Sequence, residues 1–120
     1  DKDARYRRTG EFLDILKRSW TGETYDHEGE FFKLEQGGLR RKLEDLDPPQ
    51  VYFGGSSPAG QAVAAQHADV YLTWGEPLES VAGKVEVMKA RAREEERELS
   101  YGLRIPVSYK HLTLPTTYSV

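Results

Sequence analysis

Residues 53–60 read Phe-Gly-Gly-Ser-Ser-Pro-Ala-Gly. A strand ending in Gly54 and Gly55, with Ser57 at an N-cap position and Pro58 as the first helical residue, turns free backbone N–H groups and a positive helix end toward whatever lies beyond the strand. The glycines let an anion approach the backbone, and the hydroxyls of Ser56 and Ser57 can donate to its oxygens. The stretch therefore reads either as a phosphate-binding turn or as a tight strand-to-helix turn closed by a serine cap. Two further groups belong to the same face of an α/β fold. Trp74, in Thr-Trp-Gly-Glu-Pro over residues 73–77, ends the next strand and is equally a pocket wall or a cover. Arg104 stands between Leu103 and Ile105. A cation in an apolar strand either meets an anion or alternates outward to solvent, and the residues alone favour the outward placement.

Other chemistries are closed off. The chain has 120 residues, no Cys, three His and a formal net charge of −3. Disulfides, thiolate nucleophiles and zinc-thiolate sites are impossible, and the lack of Cys fits a reducing cytoplasm. His27, His67 and His111 share no metal-ligand spacing; His27 reads as a turn residue and His67 as a capping or surface residue, neither a general base. The mild negative charge offers no field for nucleic acid or an anionic membrane. No apolar run approaches the roughly 18 residues a membrane helix needs. Arg40-Arg41-Lys42 is offset at once by Glu44, Asp45 and Asp47, as in a surface turn.

The elements that must hold these groups follow from periodicity. Tyr6, Gly10, Leu13, Leu16 and Trp20 recur at helical spacing, and Thr21-Gly22 ends that helix. Thr24-Tyr25 and Phe31-Phe32-Lys33-Leu34 form a short hairpin around a turn at residues 26–29. Asp47-Pro48-Pro49 breaks the chain, and the pattern then changes to strand (residues 50–54), helix (58–66), strand (69–74), helix opened by Pro77, and strand (103–107). Leu78, Val81, Val85, Met88 and Ala92 share one face of the second of these helices, and the charge run at residues 91–98 reads as its solvated end. Nearly continuous apolar strands alternating with helices predict parallel βα units, in an open sheet or a (β/α) barrel. Three strands cannot close a barrel, so a barrel reading makes this chain a piece of one, in keeping with a first residue that is not Met.

Taken in order, Asp1-Lys2-Asp3-Ala4-Arg5-Tyr6, Pro49-Gln50-Val51-Tyr52-Phe53-Gly54-Gly55-Ser56-Ser57, Asp69-Val70-Tyr71-Leu72-Thr73-Trp74-Gly75-Glu76-Pro77 and Gly102-Leu103-Arg104-Ile105 resemble the bacterial luciferase-like family, and within it the alkanesulfonate monooxygenases. The resemblance implies a partial TIM (β/α)8 barrel, with residues 1–107 as its central segment. It implies reduced FMN delivered by a separate NAD(P)H-dependent FMN reductase, and O2-dependent oxidation of a small sulfonate to aldehyde and sulfite. A homo-oligomeric parent in the cytoplasm, with no nucleic-acid or membrane partner, goes with it, and the fragment alone is expected to be inactive. Tyr6, Gly55, Ser56 and Ser57 match positions that hold the flavin phosphate. Trp74 matches a pocket-lining Trp, and Arg104 matches an arginine that binds the anionic substrate, which reverses the outward placement above. The open alternative is another barrel enzyme or binding domain using the same turn for a different phosphorylated ligand.

Two positions depart from the pattern. Lys2 stands where the family has His, four residues before Tyr6; it meets a phosphate as a point charge without the ring's directed hydrogen bond. Pro106 stands where close relatives have His, two residues after Arg104, and supplies no donor. Residues 108–120 show no amphipathic helix after the strand and read as a non-native tail.

Overall fold

The computed structural model describes residues 1–39 and 46–108. The basic triplet at residues 40–42 lies outside them, and so does the proposed non-native tail beyond Ser108.

Helix α1 (Lys2–Trp20) starts at Asp1, whose side chain accepts from the Asp3 amide, and ends with Lys17 and Arg18 in its last turn, where cations suit the helix dipole. Strands β1 (Tyr25–Glu28) and β2 (Lys33–Gly37) pair antiparallel. The hairpin is as the sequence predicts, but its turn is displaced. Asp26, His27 and Glu28 are in β1, and the Gly29 amide bonds the Phe32 carbonyl at 2.9 Å to close the loop. His27 is thus a strand residue opposite Leu34, not a turn residue.

Strands β3 (Tyr52–Phe53), β4 (Val70–Trp74) and β5 (Ser100–Arg104) form a parallel sheet in that order, linked by α2 (Pro58–His67) and α3 (Leu78–Glu94). The fold class is α/β, as the alternation predicts. Register places Phe53, Tyr71 and Tyr101 side by side across all three strands. This aromatic row packs on the small or flexible side chains Ala64, Ala65, Ala68, Met88 and Ala92 of the helical layer. Alanines let α2 sit close to the sheet, and Met88 fills what remains. Gly10 lets α1 approach α2: a methyl there would touch His67 at 3.5 Å and Val63 at 3.9 Å.

Four expectations shift. The last strand runs over Ser100–Arg104, three residues earlier than its apolar run at 103–107, because Gly102 must sit beside Leu72, whose Cδ2 would lie 2.7 Å from any Cβ. The apolar face of α3 is buried only at Met88 and Ala92, and Leu78 is 84% exposed. The charge run is not wholly solvated either. Helix α3 ends at Glu94, and Arg97 folds back to donate to the carbonyls of Ala65 at 2.8 Å and Ala68 at 2.7 Å. Lys17 donates to the His67 carbonyl at 2.6 Å, so two cations satisfy the otherwise orphaned C-terminal carbonyls of α2. His67 itself is buried, not on the surface.

Candidate active site

All three parallel strands deliver their carboxyl ends to one side of the sheet, and a cleft of about 330 Å³ opens there. Its walls include Tyr6 from α1, Gly54, Gly55 and Ser56 after β3, Trp74 at the end of β4 and Arg104 at the end of β5. Five of the seven residues singled out from the sequence therefore meet in one place, although up to 98 positions separate them, from Tyr6 to Arg104. The carboxyl ends of parallel strands are where α/β folds bind their ligands.

The turn after β3 has the cap its residues predict. Ser57 caps α2, its Oγ accepting from the Gly60 amide at 3.1 Å, with Pro58 in the first turn. The Ser57 oxygen thereby serves as the helix cap while its O–H keeps its donor capacity, and Ser57 is not among the residues lining the cleft. Among the described residues nothing accepts from the amides of Gly55 and Ser56. The space before them is narrow. A Cβ on Gly55 would stand 3.2 Å from Gly60 Cα and 3.3 Å from the Tyr6 hydroxyl, and one on Gly60 would stand 3.1 Å from the Tyr6 ring. Tyr6 is seated on this pair of glycines, with its ring edge-on to Phe53 at 6.4 Å.

At the other end of the cleft the Arg104 guanidinium lies over the Trp74 indole, 4.7 Å from the ring centroid. The two are register partners in β4 and β5. Both share strand parity with Leu72 and Gly102, opposite to the Tyr71 row that faces the helices, so Arg104 stays off the helix-covered face of the sheet. Its partner among the described residues is an aromatic face, which leaves the guanidinium edge free to receive an oxyanion in a two-point contact.

Lys2 does not reach the cleft. It lies exposed in the first turn of α1 and borders a separate shallow depression with Arg5, Tyr6 and Thr9. Two further wall residues, Tyr71 and Lys84, lie beyond those the sequence singles out. Lys84 reaches in from α3 and is held by Glu76 at 2.7 Å. An eight-residue spacing between a loop and a helix left no local signal for that pair. Tyr71 did leave one, since a hydroxyl in an apolar strand must find a partner when buried. It donates to the Gly55 carbonyl at 2.8 Å.

A second polar cluster joins α1 to the hairpin. The Glu11 carboxylate contacts His27 Nε2 at 2.8 Å and accepts from the amides of Phe31 and Phe32 at 3.0 Å each. Burial pushes this carboxyl upward, but the three hydrogen bonds and the His27 charge outweigh it, and its pKa lies below the ordinary value. The cluster anchors the hairpin and lies apart from the cleft.

Comparison with known proteins places the chain in a family and a fold. The sequence model of the luciferase-like monooxygenase family matches residues 1–112. Among solved structures, a riboflavin lyase (RcaE) with modified FMN and riboflavin superposes with a TM-score of 0.71 at 21% identity, over 98% of this chain and 32% of that one. An F420-dependent secondary alcohol dehydrogenase, in complex with an F420-acetone adduct, gives 0.71 at 20% identity, over 83% and 31%. An EDTA monooxygenase (EmoA) from Chelativorans sp. BNC1 gives 0.73 at 24% identity, over 88% and 29%. The chain thus spans about a third of the length of the solved structures it matches, and at these identities the likeness is one of fold.

Proposed function

The chain belongs to the luciferase-like monooxygenase family, and from that premise we propose that it is the central segment of a two-component, FMN-dependent monooxygenase acting on an alkanesulfonate or a close analogue. The observation that carries this reading is the convergence of Tyr6, Gly55, Ser56, Trp74 and Arg104 on one cleft at the carboxyl ends of β3, β4 and β5.

A flavin phosphate fits the turn, because Gly55 and Ser56 line the cleft with amides that have no acceptor among the described residues, while the absence of a Cβ at Gly55 and Gly60 lets Tyr6 pack directly against the turn. Gly55 and Ser56 would hold the phosphate through their amides, with the Tyr6 hydroxyl beside them and the N-terminus of α2 adding its favourable dipole. Ser57 contributes as the cap that shapes the turn. Bound reduced FMN supplies the electrons that activate O2. Arg104, backed by Trp74, orients an anionic substrate at the far end of the cleft, and Trp74 covers that end against water. Lys2 acts at most at long range, being outside the cleft.

In this proposal reduced FMN arrives from a separate NAD(P)H-dependent reductase, and the complete enzyme is a cytoplasmic homo-oligomer. Among the described residues no helix is long and apolar enough to cross a membrane. The F420-dependent neighbour supports a second reading, in which the same turn takes the phosphate of a different cofactor. Anaerobic titration of the full-length protein separates the two. Saturable binding of reduced FMN, competed by inorganic phosphate, is expected; binding of F420 with no affinity for reduced FMN would favour the second.

A further inference from the structure

The Tyr71 hydroxyl donates to the Gly55 carbonyl at 2.8 Å, within the turn assigned above to the flavin phosphate. Tyr71 is 1% exposed and belongs to the aromatic row packed under α2 and α3. Tyr71 also lines the cleft beside Gly55 and Ser56, so its hydroxyl meets the turn at the cleft floor. A trans peptide is planar, with its C=O and N–H pointing in opposite directions. Holding the Gly55 carbonyl on the Tyr71 hydroxyl consequently turns the Ser56 N–H away from that floor.

Glycine makes this constraint necessary. Gly54 and Gly55 leave the backbone free to rotate, and a peptide that can flip presents its carbonyl as readily as its amide to an incoming anion. A carbonyl facing a phosphate is repulsive, whereas an N–H is attractive. We propose that Tyr71 is a positioning residue, whose buried hydroxyl locks the Gly55–Ser56 peptide with its N–H directed at the phosphate of the cofactor. The inference rests on the functional reading above and adds to it the residue that sets the turn's polarity. Burial drives the Tyr71 phenol pKa upward, with Lys84 opposing, so the group remains an O–H donor throughout the neutral range.

Tyr71→Phe removes the hydroxyl and keeps the ring in its packing. The test compares binding of reduced FMN with reduced riboflavin, which lacks the phosphate, in the full-length wild type and variant. Wild type is expected to prefer FMN, and the variant to lose about tenfold of that preference while riboflavin affinity is unchanged, the worth of one charge-assisted hydrogen bond. Equal weakening of both flavins would make Tyr71 a packing residue only and overturn the inference. A wild type without any preference for FMN would instead overturn the phosphate reading itself, which keeps the two failures apart. Should the variant not fold, the wild-type amide spectrum decides: titration with inorganic phosphate must shift the Ser56 N–H resonance, and a Ser56 signal that stays fixed at saturation overturns the proposal.

Discussion

The guanidinium of Arg104 rests 4.7 Å from the centroid of the Trp74 indole, and parallel register between β4 and β5 places the two residues directly opposite one another. Neighbouring strands thus hold a cation over an aromatic plate at the mouth of the cleft, with no carboxylate partner among the described residues. Such a cation keeps its capacity to bind an oxyanion, and the plate restricts the rotamers of a long side chain.

Trp74→Ala removes the plate and leaves Arg104 charged but unsupported. Because both groups are exposed, the expected effect is modest: KM for an anionic substrate rises about threefold to fivefold, with reduced-FMN binding unchanged. Steady-state kinetics of the full-length protein check this, and an unchanged KM would show that Trp74 does not support Arg104.

Two glycines give opposite outcomes. Gly60→Ala puts a methyl 3.1 Å from the Tyr6 ring and 3.2 Å from Gly55 Cα, and is expected to cost about 1–3 kcal/mol of stability and to weaken flavin binding. Gly83 is exposed inside α3, and a Cβ there meets nothing within 4 Å. Gly83→Ala should therefore stabilise by about 0.5–1 kcal/mol. Urea denaturation of the two variants compares them directly, and a stabilised Gly60→Ala would contradict the tight seating of Tyr6.

Arg97→Ala strips the capping donors from the carbonyls of Ala65 and Ala68. A loss of about 2 kcal/mol is expected, because two carbonyls at a helix end lose a charged donor. Arg97→Lys recovers only part of it, since one ammonium replaces a two-pronged fork. Denaturation midpoints read both effects.

Acid should destabilise the fold in two stages. Burial lowers the His67 pKa, with Asp14 opposing, so the unfolded chain takes up a proton first; the stability His67 confers is complete above its unfolded value of about 6.5 and is lost as pH falls through the lower folded value. The Glu11 carboxyl is also held below its ordinary value, and its contribution disappears further down, as pH falls from about 4.3 through the folded value. Stability measured against pH should lose its upper step in His67→Gln and its lower step in Glu11→Gln. A wild-type profile that is flat from pH 7 to pH 5 would contradict the first assignment.

What the sequence made legible was local. Ser57 and Pro58 announce the start of α2 because a cap and a fixed φ act within one turn of the chain, and the structure places them as expected. The site residues Tyr6, Gly55, Ser56, Trp74 and Arg104 were legible as strand-end and helix residues carrying specific chemistry, and the parallel topology brings them together. What escaped depended on distant partners. Arg97 sat in a charge run that looked solvated, because the carbonyls it caps are 29 and 32 residues away. His27 and His67 gained their roles from α1, which no local pattern indicates. The last strand was displaced because Leu103 and Ile105 outrank Ser100 and Gly102 in hydrophobicity, whereas register against Leu72 favours the small residue. Of the residues proposed to hold the flavin phosphate, Lys2 and Ser57 lie outside the cleft wall: one is on the first turn of α1, and the other uses its Oγ as the cap of α2.

Sulfite release tests the functional assignment most directly. The full-length protein is supplied with reduced FMN, O2 and a series of linear alkanesulfonates, and sulfite is quantified against flavin consumed. Sulfite formed only when all three are present, and lost in Arg104→Ala while reduced FMN still binds, is the expected result. Full binding of reduced FMN with no sulfite from any member of the series would contradict it.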